Sequence, residues 1–265
     1  MDKKRLREWL DQFQSYRHGV GETAVRSWLD QFDTGDRDLA ARVLDAVEFY
    51  GNDRITAAFR DMLNAIPGWS AKPAQRKGKW RFVPYSRSSG TSAGSMIYNF
   101  RLANNLDARK WDELFIHPSE IAIQALGPDD TIVFVDDLVA TGNQVCDAWT
   151  ETFAELVGNA GRVYLMVVAA VRKARAKIKG ETEILIVSQD NLGPRDDLFS
   201  ADCGSFSSAE KATLLRYGEK ADPERPRGYG GCGLVVVFQH RCPNNSVPIL
   251  HARNGRWDGL FQRHG

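Results

Sequence analysis

Three observations predict an α/β fold with a parallel sheet, preceded by a helical N-terminal region. Beyond residue 78, apolar strands alternate with helical stretches. Those strands, such as "VYLMVVAAV" at 163–171, are nearly continuous apolar runs, the pattern of a sheet covered on both faces. Before Pro67, apolar residues recur at helical spacing throughout. The chain therefore divides into a helical region at 1–67 and an α/β domain at 78–265, joined by the basic connector "AKPAQRKGKW".

The elements follow in order. Leu6, Trp9, Leu10 and Phe13 make one stripe, and Val25, Trp28, Leu29 and Phe32 the next. The pentapeptide "WLDQF" occurs in both, a duplication or a convergence of two amphipathic helices. Leu39, Val43, Val47 and Tyr50, then Ile55, Phe59, Leu63 and Ile66, continue the pattern, broken at Gly51 and stopped by "IPGW". A strand at 80–86 comes next, then a small polar loop, a helix resuming at 95–106 and a helical stretch near 118–126. The strand "TIVFVDD" leads into a helix at 143–157 and the strand at 163–171. "RKARAKIK" at 172–179 reads as a solvated basic face. Strands at 183–189 and 233–240 flank a helix at 208–219, and "DPERPRGYGG" at 222–231 has the composition of a mobile lid.

Composition narrows the function classes. The 265 residues are enough to bury roughly 70 to 75% of the unfolded surface, so no disulfide or metal staple is required. With 35 Lys+Arg against 34 Asp+Glu, the net charge of +1 gives no support for a nucleic-acid partner, and any anion site must be local. The four cysteines form no CxxC pair and the start is too charged for a secretory signal, which points to the cytoplasm. No apolar run approaches the ~20 residues of a spanning helix, so no membrane association is expected.

The informative stretch is "TIVFVDDLVATGNQV" at 131–145. In an open parallel sheet, ligands sit beyond the carboxyl ends of the strands, where Asp136 and Asp137 fall. The turn Ala140, Thr141, Gly142, Asn143 and Gln144 then opens a helix, and turn amides at a helix start bind phosphate. Two carboxylates beside a phosphate cradle are reconciled if they accept hydrogen bonds from paired hydroxyls, or hold Mg²⁺ directly or through the substrate. A sugar phosphate with vicinal hydroxyls satisfies both halves. Upstream, Arg87, Ser88, Ser89 and Gly90 offer charge and amides to a second anion. Near the C-terminus, "FQHRCPNNSVPILH" ends a strand on His240 and displays Asn244 and Asn245, whose carboxamides suit a base edge. Cys232, His240, Cys242 and His251 fit no common closed zinc spacing.

The four apolar residues, two acids and TG-containing turn resemble the ribose-phosphate signature of type I phosphoribosyltransferases, over roughly residues 78 to 240. The resemblance implies a parallel-sheet type I phosphoribosyltransferase-like core with an N-terminal helical region. It implies that Asp136 and Asp137 hold ribose hydroxyls, that 140–144 holds the 5'-phosphate, and that 87–90 grips pyrophosphate. Catalysis would rest on Asp136, Asp137 and His240, with Mg²⁺ as cofactor. Two departures stand out: Gln144 replaces the usual late threonine, and Ala140 replaces the third acid of the purine-salvage branch, which argues against a hypoxanthine or guanine acceptor. "DDLVATGNQ" with "FQHRCPNNSVPILH" and a helical N-terminus resembles the phosphoribosyltransferase-like effectors of bacterial conflict systems, including those accompanying retrons. That implies an effector in anti-phage defence acting on phosphoribosyl pyrophosphate or a nucleotide, with a defence-complex partner protein and oligomerisation left open. The alternative is a non-catalytic sensor of such ligands or a partner-docking protein.

Overall fold

The computed structural model describes residues 2–85 and 92–263, the side chain of Ser92 excepted. In chain order the main elements are α1 (Lys3–Phe13), α2 (Glu22–Asp30), α3 (Arg37–Asp45), β1 (Glu48–Tyr50), α4 (Asn52–Ala65), β2 (Trp80–Pro84), α5 (Ser92–Ala103), β3 (Thr131–Val139), α6 (Asn143–Ala148), α7 (Ala154–Val157), β4 (Arg162–Val171), α8 (Arg172–Glu181), β5 (Leu185–Leu192), α9 (Ser208–Ala221) and β6 (Val236–Phe238). Two compact units form, one from Asp53 to Leu192 and the other from the chain up to Asn52 together with the chain from Gly193 onward. None of the described helices is long and apolar enough to cross a membrane.

The first unit holds the expected sheet, four parallel strands in the order β2-β3-β4-β5. Phe82 pairs with Val133, Phe134 with Leu165 and Met166 with Val187. Both faces are covered, and by different helices. Phe100 of α5 meets Phe82 at 4.8 Å and Phe59 of α4 at 5.7 Å, which places α4 and α5 on the Val133 side. On the other side, Phe134 packs on Phe153 at 4.7 Å and on Tyr85 at 5.0 Å. Ile132, Phe134, Val163 and Leu165 share that cluster with Val145, Trp149, Ala174 and Ile178. The helix expected at 143–157 forms as α6 and α7 joined by a π turn at Trp149–Phe153. The stretch near 118–126 instead makes two 3-10 turns, Pro118–Glu120 and Ala122–Gln124, ended by Ala125 in the left-handed region. The left-handed backbone at Ala125 takes the chain out of helical geometry and stops propagation there.

The second unit corrects two expectations about strands. Residues 48–50 are not helical: they form β1, which pairs in parallel with β6 in a separate two-stranded sheet. Three residues cannot display a period, and the aromatics Phe49 and Tyr50 favour extended backbone once a partner is present. The run at 233–240 accordingly does not extend the four-stranded sheet, and its strand ends at Phe238 rather than at His240.

The compact units also run across the sequence division at residue 67. Leu6, Trp9, Phe13, Val25 and Trp28 share one core with Phe206, Leu214, Val237, Leu250, Trp257 and Phe261. The amphipathic stripes of α1 and α2 thus bury against the end of the chain. The two "WLDQF" copies do different work within this core. Trp9 donates to the Asp45 carboxylate at 2.8 Å, whereas Trp28 and Trp257 both donate to the Ile249 carbonyl, at 2.7 and 2.9 Å. The segment at 222–231 is pinned rather than lid-like. A Cβ at Gly218 would lie 2.3 Å from the Pro226 carbonyl oxygen, and one at Gly228, with φ +80°, would lie 2.5 Å from that of Ser246.

His251 is buried in this unit, 3.1 Å from the Ser246 carbonyl, which assigns the proton to Nε2. Burial, reinforced by Arg263, lowers its pKa from 6.5 to about 4. The unfolded chain therefore takes up a proton that the folded chain refuses, so stability falls as pH drops from 6.5 towards 4. The loss should total roughly 3 kcal/mol. H251Q should flatten this limb of the urea-unfolding stability profile; an unchanged slope in the variant excludes His251 as its source.

Candidate functional site

The sheet itself creates a place for a ligand. The chain leaving β2 enters α5 on one face, and the chain leaving β3 enters α6 on the other. Adjacent strands whose exits part in this way leave a crevice beyond their carboxyl ends, the usual binding place of open α/β sheets.

Asp136 and Asp137 stand beside this crevice but within the strand, since β3 continues to Val139. Pairing with β4 runs on past the acids, with Asp136 opposite Val167 and Leu138 opposite Ala169, and the register passes over Asp137 between them. Strand alternation sends neighbouring side chains to opposite faces. Asp136 continues the row of Ile132 and Phe134 on the α6 side and is half-buried. Asp137 is only 2% exposed. The carboxylates are therefore not equivalent. Asp136 also accepts the backbone N–H of Asp137 at 2.9 Å, which fixes one of its oxygens.

The turn at 140–144 is built to be rigid. Gly142 has φ +79°, and a Cβ there would lie 3.2 Å from the Ala174 carbonyl oxygen and 3.3 Å from Ile178 on α8. Its carbonyl accepts the Cys146 N–H at 2.9 Å, closing the first turn of α6. The Thr141 hydroxyl accepts the Asn143 N–H at 3.3 Å. From below, the Tyr85 hydroxyl donates to the Val145 carbonyl at 2.7 Å, tying the end of β2 to the start of α6. Ala140 is buried, Thr141 is half-buried, and Asn143 and Gln144 are exposed.

One cation of the site escapes sequence reasoning. Lys177, in the run expected to be a solvated face, donates to the Asn143 carboxamide oxygen at 2.6 Å. Its ammonium thus stands beside the turn. Arg175 fastens the same helix to β5 through the Ser188 hydroxyl at 2.8 Å and the Ile186 carbonyl at 3.1 Å. Nothing in a single sequence pairs Lys177 with Asn143; only the packing of α8 on Gly142 does. Cys146, next to this turn, is no nucleophile: burial, then Glu181, pushes its thiol up to about 11.

Arg87, Ser88, Ser89 and Gly90 lie outside the described residues. His240, Asn244 and Asn245 belong to the second compact unit. His240 is half-buried in the tight turn between Phe238 and Arg241, whose N–H and carbonyl groups pair mutually at 3.0 Å. The Asn245 amide nitrogen donates to the Tyr229 carbonyl at 3.0 Å, and the Asn244 carbonyl accepts the Tyr229 N–H at 2.7 Å. Both asparagines thereby secure the glycine-rich loop.

Among the described residues no group of three or more His, Cys, Asp or Glu side chains is assembled for a metal. That donor set suits Mg²⁺ arriving on a phosphate, with a carboxylate and water completing its shell, better than a resident ion.

A family model described as PRTase-CE matches residues 25–263. No curated protein matches the chain.

Replacing Gly142 tests the turn directly. G142A forces a Cβ into the left-handed region and against the Ala174 carbonyl, and should cost about 1 to 3 kcal/mol in chemical denaturation. An alanine variant of native stability would show that the turn is not clamped on α8.

Proposed function

Because the chain belongs to the PRTase-CE family, which is phosphoribosyltransferase-like, we propose that it acts at the anomeric carbon of a ribose 5-phosphate substrate. Phosphoribosyl pyrophosphate or a nucleotide is the substrate class. The observation that carries this reading is the rigid turn at 140–144 set beside Asp136, at the crevice where β2 and β3 part.

In this mechanism the amides of 141–144 hold the 5'-phosphate and Lys177 adds positive charge through Asn143. Asp136 accepts a hydrogen bond from a ribose hydroxyl, and its negative charge favours the oxocarbenium character that develops as the anomeric bond breaks. Asp137, buried next to it, helps to shape the floor of the site. Mg²⁺, bound chiefly by substrate phosphates, would neutralise a leaving pyrophosphate. Positioning supplies most of the rate, because the turn is held by packing before substrate arrives.

The proposal extends to an effector role in bacterial anti-phage defence. It rests there on the resemblance of "DDLVATGNQ" and "FQHRCPNNSVPILH" to effectors of such systems, including retron-associated ones. Expression of the chain with and without its genomic neighbours tests this extension, with growth arrest only in their absence as the supporting result.

Incubation with Mg²⁺, phosphoribosyl pyrophosphate and a panel of bases and nucleotides, followed by phosphorus NMR, reports which bond is broken. D136N/D137N should lower turnover about 100-fold or more while leaving the unfolding transition in place. Wild-type turnover in that variant defeats the assignment, and binding without product over hours points to a sensor. K177M should weaken ribose 5-phosphate binding on the order of fivefold, with K177R retaining most of it.

A further inference from the structure

The second compact unit contains a cavity of about 640 Å³ lined by Asp222, His251, Asn254, Gln262 and Arg263, among others. This volume is within the range of small-molecule sites, roughly 300 to 1,000 Å³. Its polar groups are mostly committed. Asp222 accepts the backbone N–H groups of Glu224 and Arg225, each at 3.1 Å. Asn254 donates to the Ala221 carbonyl at 2.7 Å, and Arg253, also in the lining, pairs with Asp258 at 3.3 Å. Arg263 differs from these. It is half-buried, its Nε is fully enclosed without a hydrogen-bond acceptor, and it forms no ion pair among the described residues.

The surroundings of Arg263 make this arrangement costly. The charged groups that act on it include two cations, Arg241 and Arg225. Arg225 is exposed, stacks over Tyr229 at 5.3 Å and has no ion pair among the described residues. Cys242 would offset this only as a thiolate, yet complete burial pushes that thiol up to about 12, so at neutral pH it carries no charge. His251 in the same lining is neutral, while Asp222 and Glu224 bring carboxylates to it. A guanidinium partly withdrawn from water, acted on by other cations and in no ion pair among the described residues, is a centre that an anion completes.

We propose that this cavity binds a phosphate-bearing small molecule through Arg263. A phosphate offers several acceptor oxygens and up to two negative charges, which match the forked donors of a guanidinium better than a carboxylate does. Glu224, exposed in the same lining, supplies an acceptor for a hydroxyl of a larger ligand. The site is separate from the turn at 140–144, which belongs to the other unit.

Calorimetric titration of the full chain with inorganic phosphate, pyrophosphate and adenosine 5'-monophosphate tests the proposal. Wild type and K177M should share one binding event that R263M weakens at least tenfold and R263K partly restores. Without phosphate, R263M should melt no lower than wild type, so that lost binding is not lost folding. Tenfold tighter binding of the nucleotide identifies an organic phosphate as the ligand, and equal affinities identify the free anion; both support the site. Phosphate binding by R263M at wild-type affinity, or no phosphate event shared by wild type and K177M, overturns it. Loss of the Arg263 event leaves the proposed reaction untouched, and failure of D136N/D137N to affect turnover leaves the Arg263 site untouched.

Discussion

The candidate active end of the sheet depends on how closely Gly142 approaches α8. A backbone with no side chain at that point lets the turn rest on Ala174 and Ile178, and every other feature of the turn follows. The first turn of α6 closes on the Gly142 carbonyl, and Asn143 falls within reach of Lys177. Tyr85 then fixes the same helix start from the side of β2. Turn amides held from two directions are ordered by folding, before any ligand arrives.

The parting of the chain between β2 and β3 sets where that turn can act. Covering the Val133 face with α5 and the Phe134 face with α6 and α7 requires the two exits to diverge. A doublet that reads as a single acidic feature becomes one half-buried carboxylate and one buried one. Their unequal surroundings are the physical basis for giving them unequal roles.

Much of the sheet was legible because buried parallel strands are apolar on both faces, so 131–137 and 163–171 declared themselves by composition alone. β1 was not legible, since Glu48–Tyr50 is extended only because β6 pairs with it. The misplacement of 233–240 has the same origin, because an apolar run states that a strand is buried without stating against which partner. Near the carboxyl end of β3, the acids and the turn after them stand out in the sequence by spacing, whereas the left-handed backbone of Gly142 and its approach to α8 do not. Lys177 was not legible, because its role comes from helix packing. Arg263 carried no sequence signal either, since an arginine becomes unusual only when its neighbours are known.

The core shared by α1, α2 and the last part of the chain has a consequence for biosynthesis. Leu6, Trp9 and Trp28 bury against residues such as Leu250, Trp257 and Phe261, and the whole of Asp53–Leu192 is translated in between. At roughly 5 to 20 residues per second, the ribosome leaves these helices without those partners for about 10 to 50 s. The sheet unit is contiguous and has all of its strands well before then. The apolar stripes that emerge before the sheet unit are thus covered only after it, and during that interval they are the surface a chaperone would find.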